Sequence, residues 1–242
     1  ACDRCHWYDY THGYDWQRRI TIVRIGEEER RYCARCRDRE ALEQAMHALL
    51  ESNTPFLILD TETTGLPHHR HFQVVEVAAV DGSGSIVFHS LIRPDVSMPE
   101  EAMAVHGITD AILVNAPHFA DVWPQLAQIL SAHEIYCYNA AFDREAILCT
   151  AARYGLEIPD RVRDHKRWHC MMLEFACYRG EYSDYWESWQ WQPLGIACSE
   201  LEVEDSGFHR AVGDALNCLG IMRKLAERSG THPLSEAQRL LE

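Results

Sequence analysis

Four carboxylates and one histidine sit in three separated stretches of this chain: Asp60 and Glu62 in LILDTETTG, Asp143 in YNAAFD, and His209 and Asp214 in HRAVGD. Carboxylates gathered at one point repel each other unless cations lie among them. Brought together by a fold, this set suits a paired divalent-cation site that hydrolyses phosphodiesters. Asp60 and Glu62 stand two residues apart, so on a strand both side chains leave from one face. Within one helix, His209 and Asp214 would be turned about 140° apart. His209 is therefore expected on the loop that enters the helix. Taken singly, each stretch has a plain structural reading. Asp-x-Glu is a common pair, a first-turn carboxylate such as Asp143 complements a helix dipole, and a lone histidine is ordinarily a surface or capping residue.

The elements that must bring these residues together can be read from the pattern. Residues 56–59 (FLIL) form an apolar run that suits a buried central strand, ended by Asp60 and Glu62 and stopped by Thr63-Thr64-Gly65. Residues 135–138 are a second buried strand, with Asn139 punctuating its end and a helix starting near Ala141. Segments 73–81 and 85–93 alternate apolar and polar residues around Asp81-Gly82-Ser83-Gly84, a hairpin signal that predicts an antiparallel meander with strand 56–60. A weaker strand is expected near 164–169, and helices near 119–132, 141–154 and 211–228.

LILDTETTG, VHGITDAIL, YNAAFD and HRAVGDALN, in that order, resemble the DEDD-type 3′–5′ exonucleases. That group includes the proofreading subunit of bacterial replicative polymerase, RNase T and oligoribonuclease. The resemblance spans residues 54–228 or so, and a histidine five positions before the last aspartate is similar to the histidine branch. The tyrosine branch would place Tyr where Arg210 stands. The resemblance implies an α/β, ribonuclease-H-like fold: a mixed five-stranded sheet flanked by helices. It assigns Asp60, Glu62, Asp143 and Asp214 as ligands of two Mg²⁺ or Mn²⁺ ions, with Asp60 bridging and Asp143 often acting through water. His209 becomes the general base, a task that fits an ordinary histidine pKa of about 6.5. Thr63, Gly65, Leu66, Met103, His106 and Asn139 are expected around the 3′-terminal nucleotide. Leu66 is a candidate wedge against the base, although Leu66 and Met103 sealing the core is an equal reading. His68, His69 and His71 read as a solvated polar loop.

The implied activity is removal of nucleoside monophosphates from 3′ ends of single-stranded DNA, in repair, proofreading or turnover. The alternatives are an exoribonuclease of the RNase T or oligoribonuclease kind, and a non-catalytic zinc-ribbon adaptor.

Cys2-x-x-Cys5 and Cys33-x-x-Cys36 form two knuckles with the spacing of one tetrahedral structural zinc. So short a segment cannot fold alone on buried area, and metal binding would supply the difference. His6 and His12 are unnecessary as ligands beside four thiolates, and a redox dithiol pair is the weaker reading. The predicted layout is a zinc ribbon at 1–37, a connecting helix at 38–53, an exonuclease domain at 54–230 with an aromatic-rich insertion near 175–195, and a tail at 231–242. The ribbon is a candidate docking point for a protein partner.

Net charge is −14 over 242 residues, yet residues 1–50 balance nine arginines against nine acidic residues. The deficit lies in residues 51–242, with 14 basic and 28 acidic residues, which disfavours tight binding of long duplexes. Capture of a few nucleotides at one 3′ end needs no such groove. Arg161, Arg163, Lys166 and Arg167 form the one basic cluster there, either a phosphate handle or a solvated surface. Tyr178, Tyr182, Tyr185, Trp186, Trp189 and Trp191 read as a small core of their own or as stacking partners for bases. Cys137, Cys149, Cys170, Cys177, Cys198 and Cys218 read as mostly buried free thiols of a reducing compartment. No apolar stretch approaches 18 residues and no signal-peptide pattern is visible, so a soluble cytoplasmic protein without membrane contact is expected. Ala1 opens the chain without a methionine, as after removal of an initiator.

Overall fold

The computed structural model describes residues 20–25, 28–33, 39–67, 69, 71–183 and 188–229, with side chains from Leu42 onward except that of Tyr182. Two compact units divide them: one joins 53–171 with 203–220, and the other takes the described parts of 1–52, 172–202 and 221–242.

In the second unit β1 (Ile20–Ile25) and β2 (Glu28–Cys33) form an antiparallel hairpin, from Ile20 opposite Cys33 to Ile25 opposite Glu28. Cys2, Cys5, Cys36 and the Cys33 side chain, the expected zinc ligands, lie outside the described residues. Helix α1 (Arg39–Glu51) buries Leu42 and Met46 on its apolar face, together with Glu43. The buried Tyr178 hydroxyl donates to Glu43 at 3.0 Å and accepts from Arg228 at 3.0 Å, and its ring stacks near Phe175. Tyr178 is thus a core residue, whereas Trp191 is exposed. Tyr185 and Trp186 fall outside the described residues.

The first unit holds the sheet. Strands β3 (Phe56–Thr63), β4 (Val74–Val80), β5 (Ile86–Leu91), β6 (Glu134–Cys137) and β7 (Trp168–Cys170) line up in the order β5-β4-β3-β6-β7. The β3–β4 and β4–β5 pairs are antiparallel, and β3–β6 and β6–β7 are parallel. This is the mixed, ribonuclease-H-like α/β sheet that the resemblance implies. Central position explains composition: Leu57, Ile58 and Leu59 are fully buried because β3 is paired on both sides and covered.

Two strand readings need correction. β3 does not end at Asp60; it continues to Thr63 against β4, while its parallel pairing with β6 stops at Ile58. Asp60 and Glu62 therefore project from a strand with a free flank. β4 was expected to alternate, yet all seven of its residues are buried because it too lies inside the sheet. Edge strand β5 carries the exposure instead, at Ile86 and Val87.

Short helices α2 (Glu100–His106) and α3 (Asp110–Leu113) follow, and Met98, Ala102, Ile108 and Leu113 pack with Val75 into one apolar cluster. Helix α4 (Phe119–Ala132) packs against α5 (Ala140–Arg153), which lies across β3, β4, β6 and β7. Past the short α6 (Asp160–Arg163) and β7 come α7 (Met171–Arg179), α8 (Leu194–Leu201) and α9 (Ala211–Glu227), whose first half belongs to the sheet unit. Five of the six cysteines outside the knuckles are buried; Cys149 is exposed. Among the described residues, no helix is long and apolar enough to cross a membrane.

Candidate active site

Alternation along β3 sends Asp60 and Glu62 to one face, and register places Glu62 opposite Glu76 on β4. Helix α9 brings Asp214 to them. One oxygen from each of Asp60, Glu62 and Asp214 lies within 4.8 Å of the others. Thr61, pointing the other way between the two acids, donates its hydroxyl to Asp143 Oδ1 at 2.9 Å. Asp143, in the first turn of α5, is thereby fixed in a buried position. Three of the four expected ligands converge in one cluster, and the fourth is turned to Thr61 within electrostatic reach of Asp60.

Charge in this site is strained. Burial, then repulsion from Asp143, Asp214, Glu62 and Glu76, raises the Asp60 carboxyl well above the usual range. Burial and then Asp214 push Glu62 up to about 8. Asp143 rises to about 7 through burial, against the pull of Thr61, and Asp214 to about 6 through burial, against the His209 N–H. Asp214 Oδ1 is buried without a hydrogen bond made. Hard oxygen donors, mutual repulsion and an unmatched buried oxygen all fit a divalent cation such as Mg²⁺ or Mn²⁺.

His209 lies in the turn before α9, as its spacing from Asp214 requires. It is exposed, with φ of 59°, and its N–H donates to Asp214 Oδ2 at 3.1 Å. A non-glycine residue in the left-handed region marks a turn held by its surroundings.

The expected substrate residues divide. Leu66 is 53% exposed on the β3–β4 turn, so it does not seal the core, whereas Met103 packs against the Met98–Ile108 cluster. The Thr63 hydroxyl donates to the Gly65 carbonyl at 2.7 Å, and a Cβ on Gly65 (φ 147°) would fall 2.6 Å from the His69 ring. Asn139 is exposed and makes no capping bond to α5. His106 is buried: Nδ1 accepts from Ile108 N at 3.0 Å, which leaves Nε2–H to donate to the Thr63 carbonyl at 3.2 Å. Burial holds its pKa below the ordinary histidine value. This neutral ring braces the end of β3.

The basic cluster is corrected in part. Arg167 is buried, its guanidinium taken by Glu134 at 3.1 Å and by the carbonyls of Ser131, His133 and Arg161, so it offers no phosphate handle. Arg163 Nε is held by the Ile158 carbonyl at 3.0 Å. Arg161 and Lys166 remain exposed.

Sequence reasoning missed Thr61, and it missed Glu76 with Arg210. Glu76 is 1% exposed and is gripped by Arg210, by His89 Nε2 at 2.8 Å and by the Ala211 N–H at 3.1 Å. Burial alone would raise its pKa, but these donors hold it below the ordinary value. A single acid inside the apolar run VVEVAAV was the available signal: a buried charge requires a partner.

A family model described as Exonuclease matches residues 57–222. Exonuclease CP81 of Escherichia phage 186, itself uncharacterized, is 35% identical over 173 residues, covering 71% of this chain and 88% of the relative. The DNA polymerase III subunit epsilon of Salmonella typhimurium is 35% identical over 172 residues, covering 66% of each chain. Among solved structures, one titled for 3′-end specific recognition of a histone mRNA stem-loop by 3′-exonuclease superposes with a TM-score of 0.57 at 16% identity. The superposition covers 74% of this chain and 68% of that one, which shows the shared fold.

Proposed function

We propose that this chain, which belongs to the exonuclease family, hydrolyses the terminal phosphodiester bond at 3′ ends of single-stranded DNA with the aid of two divalent cations. The observation that carries the reading is the convergence of Asp60, Glu62 and Asp214 within 4.8 Å beside the exposed His209. Asp60, Glu62, Asp143 and Asp214 are the residues that would hold Mg²⁺ or Mn²⁺. When bound, the ions neutralise negative charge that builds on the phosphate during displacement. His209 accepts the proton of the attacking water. The new P–O bond forms as the P–O3′ bond breaks, and the leaving 3′ oxygen takes up a proton. The products are a nucleoside 5′-monophosphate and a chain shortened by one nucleotide with a free 3′ hydroxyl. Thr61 keeps Asp143 aimed, and His106 keeps the end of β3 in place. Leu66, Gly65, Met103 and Asn139 are assigned to the terminal nucleotide. DNA is preferred on the 35% identity to a DNA polymerase subunit. Cys2, Cys5, Cys33 and Cys36 are read, on spacing alone, as one zinc ribbon that serves a protein partner.

Incubation with DNA and RNA oligonucleotides labelled at either end, with and without EDTA, tests this. The expected result is stepwise shortening from the 3′ end, faster on single-stranded DNA, stopped by EDTA and abolished by Asp60→Ala or His209→Ala. General-base loss alone costs about 10²–10⁴-fold. Retained turnover in purified Asp60→Ala defeats the site assignment, and faster loss of RNA makes the enzyme an exoribonuclease.

A further inference from the structure

The turn carrying His209 is gripped from two sides. On one side, Arg210 sets its guanidinium fork on the Glu76 carboxylate, Nε to Oε2 at 3.0 Å and Nη2 to Oε1 at 2.8 Å. Glu76 Oε2 also accepts the N–H of Ala211 at 3.1 Å, so one carboxylate binds both the side chain and the backbone that directly follow His209. On the other side, α9 holds the incoming loop. Asn217 Oδ1 accepts the N–H of Ser206 at 2.9 Å, and Gly213 leaves room for the Gly207 carbonyl to press against the helix. His209 sits between these fixtures in a left-handed conformation, its N–H on Asp214.

We infer that Glu76 and Arg210 are positioning residues of the exonuclease reaction, fixing the His209 turn so that its imidazole faces the scissile phosphate. The inference rests on the reading of His209 as proton acceptor. Glu76 is buried but Arg210 is 49% exposed, and an ion pair with one solvated partner adds little stability. What it does supply is a planar, two-point joint that a point charge cannot reproduce. It anchors the turn to β4, directly opposite the ligand Glu62, so strand register and base position become one rigid unit. An ångström of drift at a catalytic group costs about 10²-fold, and the segment 202–210 between α8 and α9 would have such freedom without this joint.

The test compares Arg210→Lys, which keeps the charge but not the fork, with Glu76→Gln, His209→Gln and Asp60→Ala. Single-turnover cleavage is measured for each, with Mg²⁺ binding followed through the rise in melting temperature it causes. The expected result for Arg210→Lys and Glu76→Gln is a kcat lower by about 10- to 100-fold, with KM and the Mg²⁺ midpoint within about twofold of the unaltered protein. Placed in the His209→Gln background, Arg210→Lys is expected to cause no further loss, since both act on one group. Unaltered kcat, a loss carried by KM or by the Mg²⁺ midpoint, or an equal further loss in His209→Gln would each overturn the inference. If Glu76→Gln fails to fold, Arg210→Lys decides. Activity retained by Asp60→Ala would instead remove the underlying reading of the site.

Discussion

Glu62 and Glu76 face each other across a strand pair and burial raises both carboxyls, yet Glu62 ends above its ordinary value and Glu76 below it. Glu76 has donors on both oxygens; Glu62 has acids around it, and Arg210 eases its charge. The sign of the consequence follows. A carboxyl whose folded pKa exceeds its ordinary value holds a proton that stabilises the fold, fully below the ordinary value and not at all above the folded one. For Glu62 that window runs from 4.5 to about 8, and for Asp214 from 3.8 to about 6. Glu76, shifted downward, acts below 4.5 and does not oppose them there. In EDTA the melting temperature is therefore expected to fall as pH rises from about 6 to 8. Saturating Mg²⁺ should flatten the slope, and its own stabilising effect should be larger at the alkaline end. Scanning calorimetry at several pH values decides it; a melting temperature that climbs with pH in EDTA would deny that these acids crowd each other. At this scale the acids proposed as ligands were legible in sequence because each ends or opens a recognisable element. The Glu76–Arg210 pair was not, because 134 positions separate its members and Glu76 lies in none of the motifs. Thr61 was hidden for a related reason: its partner Asp143 is 82 positions away.

Helix α9 shows how an element can be shaped for its loop. Gly213 and Gly220, seven positions apart, lie on one face with Asn217 between them, and the loop 203–208 runs along that face. An added Cβ at Gly213 would stand 1.7 Å from the Gly207 carbonyl oxygen, and one at Gly220 would stand 2.4 Å from Val203 Cγ1. Propensity favours alanine over glycine inside a helix by about 1 kcal/mol. Here the backbone carbonyl cannot retreat as a flexible side chain would, so the sign reverses. Gly213→Ala is expected to destabilise by about 1–3 kcal/mol, a melting-temperature loss of several degrees, and to lower turnover by displacing His209. An unchanged or raised melting temperature would mean the loop is free to move off the helix. The apolar stripe of α9 was readable from sequence, as were β3, β6, α4 and α5. The glycine face was not, because a glycine in a helix reads locally as a weakness and only the crossing loop gives it a purpose. β4 was misjudged for a comparable reason: alternation reports one exposed face, and a strand paired on both sides and covered has none.

For the whole molecule, charge and metal content divide the labour. The segment that holds the active-site cluster belongs to the acidic part of the chain, 14 basic against 28 acidic residues, so bulk electrostatics repel polynucleotides and local cations must reverse the sign. Nine arginines lie instead within residues 1–50, around the two Cys-x-x-Cys pairs. Four thiolates close a tetrahedral site and leave no position for water or substrate, so a zinc held there takes no part in cleavage. Such a zinc would put its binding energy into folding a segment too small to be stable alone. Two metals with separate tasks make a clear expectation. Atomic absorption should find one zinc per chain, and Cys33→Ser should lose it. Turnover of a short, free single-stranded oligonucleotide in Mg²⁺ should then stay within about threefold of the unaltered protein, because such a substrate needs no recruitment. Activity that falls in proportion to zinc content would move that metal into the chemistry, and cleavage would no longer be the work of the carboxylate cluster alone.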